Sequence, residues 1–210
     1  MAQFNSALEA SSYLHPDRNG PYAQHREHTV KKMLNSGCEY ITLAEHPLSW
    51  ADDQDPFRHV MAQAYPRITS RCFNRLLESF EEALKEEFTS FTEARGISVV
   101  TKTYATTIRR VAKYPDTMIA GVRITEVRAD RFHVIYSVWS VLEEALVANL
   151  QSWIVFFDNQ SARPVDILLK GGVFSDLHTN LSKRAEESKR AIQRCEKEKA
   201  TMAEKQSPKL

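Results

Sequence analysis

The chain has 210 residues, enough for one domain with a sizeable core and terminal extensions outside it. A hydrophobic fraction of 42% with 26% charged residues excludes a disordered, collagen-like or disulfide-built chain. Twenty-eight Lys and Arg against 27 Asp and Glu leave a formal charge of +1, so nothing draws the chain to a polyanion and nucleic acid is not an expected partner.

The first twenty residues carry Glu9 and Asp17 and no apolar stretch behind a basic start, which argues against a secretory or mitochondrial leader. No run reaches the length of a membrane span, so a cytoplasmic protein without a membrane partner is expected. Cys38, Cys72 and Cys195 are odd in number and widely spaced, which reads as three free thiols in a reducing interior. HPDRNG followed by Pro21 marks a turn, and QHREHTVKKMLNSG predicts a short helix closed by Gly37; residues 1–38 form an N-terminal extension. His25 and His28 have helical spacing, but with no third ligand and no HExxH pattern no metal is expected.

EYITLAEHPLSW predicts a strand that puts His46, Leu48 and Trp50 on one face, with Trp50 in the core. The stretch ADDQDPFRHV follows. Beyond Pro56, apolar residues recur at helical steps through Val60, Ala64, Ile68, Cys72 or Phe73, Leu76, Leu77, Phe80 and Leu84. Pro66 lies within this pattern, so its first turns form either a separate short helix or a kink.

From Gly96 the chain reads as four strands, GISVVTKTYATTIRR, TMIAGVRITEVRA, RFHVIYSVWSVL and ALVANLQSWIVFFD, joined as neighbouring hairpins. The body ends near residue 170. Residues 171–210 form a charged helical extension with a narrow stripe of Leu177, Leu181, Ile192, Cys195 and Met202, read as a solvated appendage, the alternative being a stripe that packs on the body or on a partner subunit. Gly171-Gly172 lacks a P-loop lysine-serine context, and neither GxGxxG nor GxSxG occurs, so no cofactor is expected.

Strand, long helix and four strands is the element order of the α+β hotdog fold, a curved antiparallel sheet wrapped around a central helix. Locally, DQDPFRHV and AQAYPR resemble the thioesterase-like hotdog family of the 4-hydroxybenzoyl-CoA thioesterase type and its fungal relatives, whose signature is approximately D-x-D-x-x-x-H-V-N-N-x-x-Y-x-R. Asp53, Asp55, His59, Val60, Tyr65 and Arg67 fall on matching positions, and the resemblance spans roughly residues 40–167. Met61 and Ala62 replace the two asparagines, and Ser70 stands where many members have a helix glutamate.

The resemblance implies an acyl or polyketide thioester of coenzyme A or a carrier protein as substrate, and a homodimer or homotetramer. Backbone N–H groups at the start of the central helix would stabilise the oxyanion. Asp55 is then nucleophile or general base, the alternative being a turn former. His59 either protonates a leaving group or packs at a subunit contact. Trp50, Arg58, Met61, Ala62, Tyr65 and Ser70 are the substrate-binding candidates, and Arg71 is expected to lay its stem on apolar surface instead. The departures leave two further readings open: cyclisation, dehydration or carbon-carbon cleavage of a polyketide-like intermediate in secondary metabolism, and a non-catalytic binding protein.

Overall fold

A computed structural model describes residues 21–206; the turn expected at HPDRNG and the leader reading both lie outside them. Helix α1 (Pro21–Asn35) closes at Gly37 with φ +86, a left-handed conformation that favours glycine. A 3₁₀ turn (Tyr40–Thr42), strand β1 (Ala44–Pro47) and one-turn helix α2 (Trp50–Asp53) come next. Then follow α3 (Ala64–Glu78), the short α4 (Glu81–Leu84) and α5 (Glu87–Thr92), and β2 (Ile97–Ile108), β3 (Thr117–Val127), β4 (Arg131–Ser140) and β5 (Ala145–Asp158). The two-residue β6 (Arg163–Pro164) precedes the 34-residue α6 (Val173–Gln206).

All pairings are antiparallel, in the order β1-β3-β4-β5-β2 with β6 beside β5. One row of paired residues, Ala44, Ala120, Val138, Ala148 and Ile108, crosses all five main strands. Amphipathic α3 lays Ala64, Tyr65, Ile68, Cys72 and Leu76 against this face, packing on β1, β3 and β4. Alternation on the strands and the helical period on α3 thus converge on one core, giving the hotdog arrangement.

Four expectations are corrected. The strand expected over residues 39–50 survives only as Ala44–Pro47, because Ser49 caps a helical turn there: its Oγ accepts from the Asp52 N–H at 3.2 Å. Trp50, expected in the core, is 55% exposed and meets Tyr114 edge to face. Helix α3 starts at Ala64, with Pro66 in its first turn where proline is tolerated, so Val60 and Met61 lie outside it. β2 forms no hairpin with β3; it crosses to the far edge beside β5, as order in sequence does not fix order in a sheet.

The C-terminal extension is also more than an appendage. Leu177 and Leu181 are wholly buried, Arg184 and Ser188 nearly so, and α6 packs on β3, α4 and α1. Arg184 Nε donates to Glu39 Oε2 at 2.9 Å and Nη1 to Ser79 Oγ at 3.0 Å, which lets a charged residue sit in the contact. Ile192 and Cys195 are half-buried, and the side chain of Met202 lies outside the described residues. Between α1 and the sheet, Met33, Cys38, Ile119 and Val141 form a second core. Gly121 makes room for it, since a Cβ there would stand 2.6 Å from Leu43 Cδ2. Cys38, Cys72 and Cys195 are free thiols. No helix among the described residues is long and apolar enough to cross a membrane.

Helix α1 is pinned at Glu144, just before β5. Lys32 Nζ lies 2.8 Å from its carboxylate, His25 Nδ1 2.8 Å and His28 Nδ1 3.2 Å. The hydrogen bonds from Lys32 and then His25 hold this carboxyl down at about 2 against the cost of burial, with His28 adding to them. A depressed carboxyl pKa gives a tie that is complete above the unfolded value of 4.5 and is lost as pH falls towards 2. Protection of the α1 amides, taken against their intrinsic exchange rate at each pH, is expected to fall across that window, and Glu144→Gln to show the lowered protection already at pH 7. Protection in α1 that stays constant from pH 7 to 3 would contradict this tie.

Candidate active site

The loop between α2 and α3 carries the candidate residues, and Asp53 anchors it. The Asp53 side chain has no solvent exposure; its carboxylate accepts from the Ser49 N–H at 2.7 Å, pairs with His46 Nε2 at 3.0 Å and receives Arg67 Nη2. Burial alone would raise its pKa, but the Ser49 N–H, His46 and Arg67 together outweigh burial and hold it below the usual carboxylate range. The Asp53 carbonyl accepts the Met61 N–H at 2.8 Å, so this residue also closes the far end of the loop.

Within the loop, Gln54 and Val60 form an isolated antiparallel bridge, and the Asp55 N–H donates to the His59 carbonyl at 2.8 Å. Asp55 Oδ1 accepts two backbone N–H groups, from Phe57 at 2.9 Å and from His59 at 2.8 Å. Its other oxygen, Oδ2, has no hydrogen-bond donor among the described residues and lies 4.0 Å from His59 Nδ1. The two side chains are 28% and 40% exposed. Arg58 holds φ +66 at the tip of the turn and points to solvent. The Val60 N–H donates to the Ala112 carbonyl at 2.9 Å, tying the loop to the connection between β2 and β3.

The remaining candidates divide. Tyr65 is buried beneath the first turn of α3, and burial pushes its hydroxyl up to about 12, so it stays protonated. Met61 is half-buried; Ala62 and Ser70 are exposed, and Ser70 Oγ is spent on the Arg67 carbonyl at 2.7 Å. Trp50 and Phe57, 55% and 77% exposed, flank the loop with Val111 at 51%. Surface clefts of about 200 to 540 Å³ are found among the described residues, and neither Asp55 nor His59 lines these. Among the described residues no group of three or more His, Cys, Asp or Glu is placed to hold a metal.

Three features went unread in the sequence. The pairing of Asp53 with His46 and Arg67 had a signal, since all three lie in or beside the motif. Gln54 places both amide atoms in the interior with no hydrogen-bond partner among the described residues, and the Thr69 hydroxyl meets the Tyr104 hydroxyl across the gap between α3 and β2. Neither of these contacts has a sequence signature, because each depends on how the loop or strand folds back on the helix.

Three solved structures share the fold at low sequence identity. A hypothetical protein from Staphylococcus aureus, solved in complex with CoA, aligns with TM-score 0.56 at 16% identity over 70% of this chain and 87% of its own. A DHNA-CoA thioesterase from the same organism gives 0.55 at 11% over 69% and 93%, and a 1,4-dihydroxy-2-naphthoyl-CoA thioesterase from Synechocystis gives 0.52 at 15% over 67% and 96%. No curated protein matches the chain in sequence. The model of one family does match, over residues 49–184, a span that begins at the cap of α2, takes in the whole Asp53 to Arg67 loop and reaches the buried half of α6: the chain belongs to the thioesterase-like superfamily.

Proposed function

We propose that the protein hydrolyses an acyl thioester of coenzyme A or of a carrier protein, with Asp55 as nucleophile or general base. The observation that carries this is the division of labour within one carboxylate. Two backbone N–H groups fix Oδ1, while Oδ2 is left without a donor. A fixed carboxylate with one free oxygen can attack an acyl carbon or take a proton from water. His59, 4.0 Å away, would protonate the leaving thiolate.

The first turn of α3 supports the same reading. Gln63 gives it no side-chain cap, the Ala64 N–H is taken by the Met61 carbonyl, and Pro66 has no N–H. The Tyr65 N–H, with no acceptor outside the helix among the described residues, is a donor available to an oxyanion at the positive end of the helix dipole. The site gains its second wall by pairing of two copies. β2 is a twelve-residue edge strand whose Val100, Tyr104 and Ile108 are 41–46% exposed, and such an edge is stabilised by adding a strand. A solution mass equal to a single chain at micromolar concentration would remove that wall.

The relatives solved with CoA or named as CoA thioesterases favour a CoA ester as the first substrate to try. Release of free thiol from a panel of acyl-CoA esters is the test, and turnover of at least one is expected. The absence of a helix carboxylate at Ser70 favours a second reading, acid-base chemistry by Asp55 and His59 on a polyketide-like intermediate. Conversion of a polyketide thioester without thiol release would select it. Tight binding without conversion of any thioester would make the protein a non-catalytic member.

A further inference from the structure

Arg67, Arg71 and Arg75 recur every fourth residue on the solvent face of α3. Arg67 is committed to Asp53. The other two have no carboxylate partner among the described residues: Arg71 Nη1 donates to the Glu45 carbonyl at 3.1 Å and Arg75 Nε to the Ile41 carbonyl at 2.8 Å. A bond to a carbonyl holds a guanidinium in place without neutralising it. From α1, Arg26 Nε donates to Glu45 Oε1 at 2.5 Å, and the second oxygen of that carboxylate accepts from the Tyr22 hydroxyl at 3.3 Å.

Arg26, Arg71, Arg75 and Asn74 line one cleft of about 490 Å³, and Tyr40, 67% exposed, stands in its wall. Both Nη atoms of Arg26 and of Arg75, with Nε and Nη2 of Arg71, have no acceptor among the described residues. The Arg71 and Arg75 forks are held in place and not neutralised, and Arg26, paired with Glu45, adds free Nη donors beside them, an arrangement suited to tetrahedral oxyanions. Arg71 and Arg75 stand one helical turn apart, roughly 6 Å, so they can grip different oxygens of one phosphate or the two halves of a diphosphate. Glu45 and Glu78, also in the wall, weaken the pull on any anion, but three guanidiniums against two carboxylates keep the cleft positive, and attraction to a positive cleft rises with the ligand's charge.

We propose that this cleft, built jointly by the N-terminal helix and the outer face of α3, binds the phosphates of a nucleotide whose base stacks on Tyr40. It would give α1, which lies outside the matched family span, a part in recognition. That the nucleotide is the distal end of a coenzyme A ester rests on the function proposed above; the phosphate site itself does not.

Calorimetric titration of the full chain with adenosine 3′,5′-bisphosphate and with inorganic pyrophosphate tests it. Both are expected to bind at one site per chain, the nucleotide more tightly. R71Q/R75Q should weaken both at least tenfold, Tyr40→Ala should weaken the nucleotide alone by about tenfold, and E78Q should tighten both by about twofold. The exposed E78Q and Tyr40→Ala changes keep the test decisive if the double variant misfolds. Absence of binding by either probe, an unchanged affinity in R71Q/R75Q, or malonate binding as tightly as pyrophosphate would overturn the site. Equal affinity for nucleotide and pyrophosphate would overturn the stacking on Tyr40. Asp55→Asn should bind both probes as the unaltered chain does, so loss of hydrolysis and loss of phosphate binding are separable.

Discussion

Asp55→Asn is expected to lower kcat for thioester hydrolysis by about a thousandfold while leaving the melting temperature unchanged. Asparagine keeps an Oδ1 acceptor, so the bonds from the Phe57 and His59 N–H groups, and with them the turn, survive the exchange. What is lost is the negative charge on Oδ2. Asp55→Ala loses the charge and both backbone bonds, which should add about 1 kcal/mol of destabilisation per bond. Steady-state kinetics on the best thioester of the panel, with thermal melts of both variants, separates chemistry from turn formation. If the asparagine variant hydrolyses as fast as the unaltered chain, Asp55 is a turn former and nothing more.

The largest loss of stability is expected at Asp53. Asp53→Ala removes the acceptor of the Ser49 N–H, of His46 and of Arg67 at once. Arg67 is half exposed and can return its charge to water, but His46 is only 9% exposed and its Nδ1 already lacks a partner among the described residues. Breaking such a buried set costs about 3–5 kcal/mol, and the escape of Arg67 puts the expected value near the lower end. That is a large part of the stability of an ordinary domain. Because the Asp53 carboxyl is held below its usual range, its contribution is present above the unfolded value and is lost as pH falls through the folded one. Urea unfolding at pH 7 and pH 3 should therefore show a smaller acid dependence in Asp53→Ala than in the unaltered chain. An equal dependence would mean that Asp53 titrates normally in the folded protein.

The four long strands were legible because alternation over 10 to 14 residues is a strong signal, and each lies within its expected stretch. Their spatial order was not, since β2 and β3 are consecutive in sequence yet lie at opposite sides of the β4-β5 pair. The long amphipathic helix was visible, but its start was misplaced by four residues. Val60 fits the helical period and is instead held in a bridge to Gln54, so its burial has a different cause. The motif placed the Asp55 loop between the first strand and the long helix, where it lies. It did not distinguish two aspartates two residues apart, one wholly buried and structural, the other half-exposed and half-free; that difference is set by His46 and Arg67, which reach Asp53 from β1 and α3. The charge-rich tail misled for a similar reason, because its buried stripe is completed by Arg184 and Ser188, residues that composition assigns to solvent.

The three thiols are chemically unequal. Burial pushes Cys38 upward and Cys72 to about 12, so neither carries an appreciable thiolate fraction at neutral pH. Cys195 is half-buried on the outer half of α6. An alkylating reagent therefore meets a single reactive handle per chain, far along the helix from the Asp55 loop in sequence. A dye or spin label placed there would report the motion of α6 while the free thiol released by each turnover is counted in the same solution.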